Sequence, residues 1–164
     1  MPTIGNLPMT FTHMAYLTDD LEQSMAACTA LGVTGLERTD GIHVAFARGT
    51  MPGAGADQSA NGTTIELMTP TSAGNYYSDE LARKGPGLHH FGISVPDFDR
   101  YLAEFMAAGC VITMDLRRTA LSPDELAKLD KWIESQNILV QFDVCYLDCK
   151  AIGLPTIEMA SVRR

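Results

Sequence analysis

At a constant offset of 77 residues the chain aligns with itself. His13 falls on His90, Asp20 on Asp97 and Gly32 on Gly109, while Leu21, Met25 and Cys28 fall on Phe98, Leu102 and Phe105. A self-match of this kind means that one supersecondary unit has been used twice, and it limits the folds open to the chain more than any single motif does.

Each copy opens on a strand-like run that carries a histidine, within the matched stretches Thr12 to Leu21 and His89 to Phe98. Asp19-Asp20 and Pro96-Asp97 then start a helix, with acids placed to cap the open N–H groups of its first turn. Apolar residues three and four apart line one helical face. Gly32 and Gly109 stand where the helix stops and the backbone takes positive φ. Further strands are predicted over Ile42 to Arg48 and Thr63 to Met68 in the first copy, and over Val140 to Leu147 and Thr156 to Ser161 in the second. The order is β-α-β-β-β, twice.

The final strands match at another offset. Thr64-Ile65-Glu66-Leu67-Met68 resembles Thr156-Ile157-Glu158-Met159-Ala160, with Glu66 and Glu158 separated by 92 residues. The difference, 92 − 77 = 15, places 15 extra residues in the second copy. Ser122-Pro123-Asp124-Glu125 reads as a helix start, and Leu126, Leu129 and Ile133 continue at helical spacing to about Ser135. A loop is expected over Met51 to Gly62, and a short helix over Ser78 to Lys84 before a Gly-Pro-Gly linker. The expected organisation is one domain over 1–164, with module one at 8–75, module two at 87–164 and a helical insertion at about 116–137.

A formal net charge of −8 argues against a nucleic-acid partner, because a phosphate backbone demands a basic face. No apolar run reaches the roughly 20 residues of a membrane span, and the first residues have no basic start followed by an apolar stretch. Cys28, Cys110, Cys145 and Cys149 include no Cys-x-x-Cys pair, and they read as reduced thiols of a cytoplasmic protein. Cys145 and Cys149 share strand parity, which would let them pair or bind a metal, although a reduced structural role is the commoner one.

Duplication gives each unit one imidazole on its first strand and one carboxylate on its last: His13 and Glu66, then His90 and Glu158. Sheets facing each other about a pseudo-twofold axis would bring all four together. Two imidazoles and two carboxylates suit one divalent ion such as Co, Ni, Zn, Mn or Fe(II). A lone strand histidine is more often a satisfied core residue, and it is the pairing within a repeat that turns the balance toward ligation. His89, adjacent to His90, points to the opposite strand face. His43 falls in a predicted strand without a counterpart in the repeat, and is a candidate pocket residue. Arg38, Arg48, Arg83, Lys84, Arg117, Arg118 and Lys150 are candidates for holding an anionic group, although solvated surface charge is the commoner role.

The stretches Thr12 to Leu21, Thr64 to Pro70, Leu81 to Lys84 and Gly87-Leu88-His89-His90-Phe91 resemble the vicinal oxygen chelate (glyoxalase/bleomycin resistance/extradiol dioxygenase) superfamily, and within it members similar to methylmalonyl-CoA epimerase. The likeness covers most of residues 8 to 112. Val144 to Asp148 and Thr156-Ile157-Glu158 continue it, whereas Leu116 to Asn137 departs from it. The resemblance implies an α+β fold in which two tandem βαβββ modules form an open, metal-holding, mixed β-barrel-like cleft. It implies His13, Glu66, His90 and Glu158 as metal ligands. A second acid/base carboxylate that some epimerases carry has no counterpart in Ile42-His43-Val44-Ala45-Phe46, where only His43 can ionise.

The activity this implies is a metal-dependent isomerase or epimerase, acting through a metal-stabilised enolate on a small acyl thioester or α-hydroxy carbonyl substrate. Glu158 is the first candidate for the base, Glu66 the second and His43 the alternative proton carrier. The expected partners are that small molecule and a second copy of the chain. A lyase like glyoxalase I, an Fe(II) extradiol-type dioxygenase and a protein that sequesters a ligand without reaction are the rival readings. The dioxygenase ranks lower because such iron sites use two histidines and one carboxylate, and a fourth ligand closes a position they need.

Overall fold

The computed structural model describes residues 8–41, 43–52, 63–135 and 141–163. Module one runs β1 (Thr10–Leu17), α1 (Leu21–Ala30), β2 (Thr34–Asp40), β3 (Val44–Met51) and β4 (Thr63–Pro70), and is followed by α2 (Tyr76–Lys84). Module two runs β5 (Gly87–Ser94), α3 (Phe98–Ala107), β6 (Val111–Asp115), α4 (Pro123–Ser135), β7 (Gln141–Asp148) and β8 (Ile157–Arg163). A 3₁₀ turn at Lys150–Ile152 joins the last two strands. The protein is therefore a mixed α+β chain of two βαβββ modules. No helix among the described residues is long and apolar enough to cross a membrane.

The two modules share one internal order. Module one hydrogen-bonds its strands as β2-β3-β4-β1, with the first and last strands of the repeat parallel. Module two follows as β6-β7-β8-β5, again with a parallel first–last pair. Parallel neighbours need a crossover, and in each module the helix between first and second strands starts that path.

Local chemistry explains why the helices start and stop where they do. Asp20 accepts from the Gln23 N–H at 2.9 Å, and Asp97 accepts from the Arg100 N–H at 3.1 Å, 77 residues later in the same role. Gly32 and Gly109 take φ of 92° and 95°, which lets Val33 and Cys110 donate back to the Cys28 and Phe105 carbonyls at 3.0 Å.

The core of each module lies between its helix and one strand face. In module one Leu21 packs with Val33, Ala45, Ala47, Ile65 and Leu67. In module two Phe98, Tyr101, Leu102 and Phe105 pack on Ile93, Cys145, Leu147, Ile157 and Met159. Side chains alternate along a strand, so the intervening residues (His13, Arg48 and Glu66; His90, Tyr146 and Glu158) emerge on the face opposite the helix. Gly49 allows a close approach on the helix side, where an added Cβ would stand 2.7 Å from Val33 Cγ1.

Three expectations need adjustment. β2 and β6 fill the second-strand position in each repeat, but neither shows the apolar alternation that would have located it: β2 is mostly exposed and β6 only partly buried. β3 begins at Val44, so His43 lies in a bend instead of a strand. Its carbonyl accepts from the Thr71 N–H and from Asn75 Nδ2, tying down the turn that leads into α2. Cys145 sits within β7 but Cys149 lies beyond it, so the two do not share one strand. The expected loop lies outside the described residues from 53 onward, as do Ile42, Asn137 and the side chains of Trp132 and Ile133.

The inserted helix α4 is built as its sequence predicts. Ser122 and Glu125 cap each other, with the Ser122 N–H donating to Glu125 Oε2 at 2.8 Å and the Glu125 N–H to Ser122 Oγ at 3.4 Å. Arg118 pairs with Asp130 at 2.6 Å and so anchors the helix to the segment before it.

Candidate metal centre

Register explains why each module brings its histidine to its glutamate. In module one His13 lies opposite Thr64 and Ala15 opposite Glu66, so the glutamate stands two positions along the ladder on the same face as the histidine. In module two Gly92 lies opposite Glu158, again two positions beyond His90. The residue directly beside each carboxylate is thus small, Ala15 or Gly92, which leaves the space that an imidazole reaches into.

His13 Nε2 stands 4.0 Å from Glu66 Oε1, and His90 Nε2 stands 3.4 Å from Glu158 Oε2. The side chains of His13 and Glu66 are 6% and 4% exposed, those of His90 and Glu158 0% and 12%. A buried carboxylate needs a counter-charge or donors, because isolated burial of an ion is costly. Both have such partners. Arg48, directly opposite Glu66 in the β3–β4 ladder, donates from Nε to Glu66 Oε2. Tyr146, directly opposite Glu158 in the β7–β8 ladder, donates its hydroxyl to Glu158 Oε2 at 2.6 Å and sets its ring edge-on to His90 at 4.9 Å.

Each pair could therefore offer an imidazole nitrogen and a carboxylate oxygen to a cation. Neutral imidazole with carboxylate is a donor set for first-row divalent metals. It is a poor set for a redox thiolate or haem site, and the nearby cysteines add nothing to it. Burial pushes the Cys145 thiol up to about 12 and also raises that of Cys149, so neither is a ready thiolate nucleophile.

The other candidates separate. His43 is five residues from Arg48 along the chain, roughly 15 Å at strand rise, and is not brought to Glu66. His89 turns away from His90 and packs against Tyr76 and Tyr77 of α2, with ring centroids 5.6 and 5.7 Å away. Of the seven basic candidates, six are engaged elsewhere. Arg38 pairs with Glu22 and Asp40, Arg83 and Lys84 with Glu80, Arg117 with Asp115, Arg118 with Asp130 and Lys150 with Asp148. Arg48 alone among the seven pairs with one of the four candidate ligands. Sequence reasoning misses Tyr146 and the role of Arg48. Both are cross-strand neighbours of the glutamates, and that relation becomes visible only once the hairpin register is known.

The chain belongs to the glyoxalase/bleomycin resistance protein/dioxygenase superfamily, whose family model matches residues 12–122. Among solved structures it is similar to methylmalonyl-CoA epimerase from Mycobacterium tuberculosis, with a TM-score of 0.62, 16% identity, and coverage of 94% of this chain and 88% of that one. It is also similar to a single-residue variant of the Streptomyces coelicolor methylmalonyl-CoA epimerase in complex with 2-nitronate-propionyl-CoA, with a TM-score of 0.58, 17% identity and 93% coverage of both chains. A hypothetical protein from Bacillus halodurans C-125 aligns with a TM-score of 0.60, 14% identity, and coverage of 95% of this chain and 96% of that one. At these identities the likeness establishes a shared fold. No curated protein matches in sequence.

Proposed function

We propose that the protein is a divalent-metal-dependent isomerase of the epimerase kind, in which His13, Glu66, His90 and Glu158 hold one ion. The observation that carries this reading is the repeated pair: each module buries one imidazole beside one carboxylate in the same register, where the fold has no packing need for either. When bound, the ion supplies Lewis acidity that spreads the negative charge of an enolate.

The chain's own residues have distinct parts. Glu158 is the base that takes the α-proton. The Tyr146 hydroxyl holds one of its oxygens and so fixes the orientation of the carboxylate. Glu66 ranks second as a base, since its Oε2 is already taken up by a charge-assisted bond from the Arg48 guanidinium. His43, in the bend before β3, ranks behind both as the alternative proton carrier. The substrate class is a small acyl thioester or α-hydroxy carbonyl. The likeness to methylmalonyl-CoA epimerases, one of them holding 2-nitronate-propionyl-CoA, makes a methylmalonyl-type thioester the first to try.

One observation favours a second reading, a ligand-sequestering protein without metal. Arg48 already neutralises Glu66, which needs no ion to be stable where it is. A single set of measurements separates the readings. Protein purified without chelator should hold close to one divalent ion per chain, and His90→Ala should lose most of it. In heavy water the substrate's α-hydrogen should exchange for deuterium only with metal present, without oxygen uptake, and Glu158→Gln should slow exchange about 100-fold or more. Metal-free protein that binds substrate tightly with no exchange would establish sequestration instead.

A further inference from the structure

Two carboxylates in equivalent positions have partners of different charge. Glu158 is held by a neutral phenol, Glu66 by a guanidinium. Arg48 is 48% exposed while Glu66 is 4% exposed, so the carboxylate end of this pair is withdrawn from water and its interaction is not that of an ordinary surface bridge. The guanidinium is itself fixed, with its carbon 5.3 Å from the centroid of the Phe46 ring, two residues earlier on the same strand face.

From this difference we infer that Arg48 is a positioning residue that turns Glu66 into an electrically neutral oxygen ligand. The inference rests on the metal-binding reading above. Glu66 has two oxygens: Oε2 carries the Arg48 hydrogen bond, and Oε1 is the one nearer His13. A divalent ion with two carboxylate ligands is formally neutral, whereas the same set with Arg48 against one carboxylate retains one positive charge. A centre that must stabilise an enolate, or accept an anionic acyl thioester, gains from that residual charge. The same cation repels the ion, so the arrangement trades affinity for Lewis acidity. The sign is opposite to that of the usual supporting residue, a hydrogen-bond acceptor behind a ligating histidine, whose removal weakens metal binding.

That reversal of sign is the test. Cobalt(II) alone is the probe, with its association constant read by competition titration and by the visible absorption of the bound ion. Arg48→Met should bind Co(II) about tenfold more tightly than the native chain, and Arg48→Gln should follow it, each with lower turnover. Arg48→Lys, which keeps the charge, should stay near the native affinity. A role limited to holding Glu66 in place would make Met and Gln bind equally or more weakly, which overturns the inference while leaving the metal reading intact. A native chain that takes up no cobalt overturns both. Failure of both neutral variants to fold would make Arg48 a requirement of the fold and would overturn the inference as well.

Discussion

Tyr146 and Glu158 face each other across the β7–β8 ladder, and the phenol donates to Oε2 at 2.6 Å. Arg48 and Glu66 hold the same places in the β3–β4 ladder. The repeat therefore extends one layer beyond the histidines and glutamates: each module also supplies a cross-strand donor to its carboxylate. Keeping the position while changing the residue from phenol to guanidinium makes the two halves electrostatically unequal.

Removing the phenol oxygen tests the module-two half. Tyr146→Phe keeps the ring that meets His90 and deletes only the donor to a carboxylate that is 12% exposed. Hydrogen bonds to a charged partner are worth roughly 1.5–3 kcal/mol. Urea unfolding should show a loss of about 2 kcal/mol. A loss under about 0.5 kcal/mol would mean that the carboxylate is satisfied without Tyr146.

How far the sequence leads depends on where symmetry is available. The first strand, helix and helix-ending glycine of each module are legible because His13/His90, Asp20/Asp97 and Gly32/Gly109 repeat at one spacing. The four candidate ligands are legible for the same reason. β2 and β6 are not, since a partly or mostly exposed strand carries no apolar alternation and takes its place from its neighbours. Tyr101, slightly more buried than Phe105, falls outside the repeat's matched apolar set, and nothing in the spacing marks it as core. His43 is misplaced by sequence alone because Ile42-His43-Val44 reads as a strand, while its carbonyl is used by Thr71 and Asn75. The partners Arg48 and Tyr146 depend on antiparallel register, which no one-dimensional spacing encodes.

Equivalence in the repeat is not equivalence in energy. Cys28 and Phe105 match at the 77-residue offset, yet Phe105 is 2% exposed in the core of module two, while Cys28 is only partly buried beside its cluster. Phe105→Ala should cost about 3–5 kcal/mol through lost burial and the cavity left behind. Cys28→Ala, which removes one polarisable atom from a partly buried site, should cost under about 1 kcal/mol. Chemical denaturation of the two variants measures both, and equal losses would show that helix packing is the same in both modules.

His89 makes the fold sensitive to acid. The residue is 5% exposed, and its ring packs against both Tyr76 and Tyr77. Burial lowers its pKa from 6.5 to about 4; Glu80 opposes the shift and Lys84 adds to it. The unfolded chain protonates this histidine near 6.5 and the folded chain only near 4, so between those values the unfolded state holds more protons. Stability from this residue is therefore complete above pH 6.5 and declines as pH falls to about 4. A gap of that size corresponds to about 3 kcal/mol when fully developed. Urea unfolding followed from about pH 8 to about pH 4.5 should show the native chain weakening below pH 6.5. His89→Gln, neutral throughout, should lose clearly less stability over the same range. The two curves converging at low pH is the expected pattern, and parallel curves would place the acid sensitivity in another group.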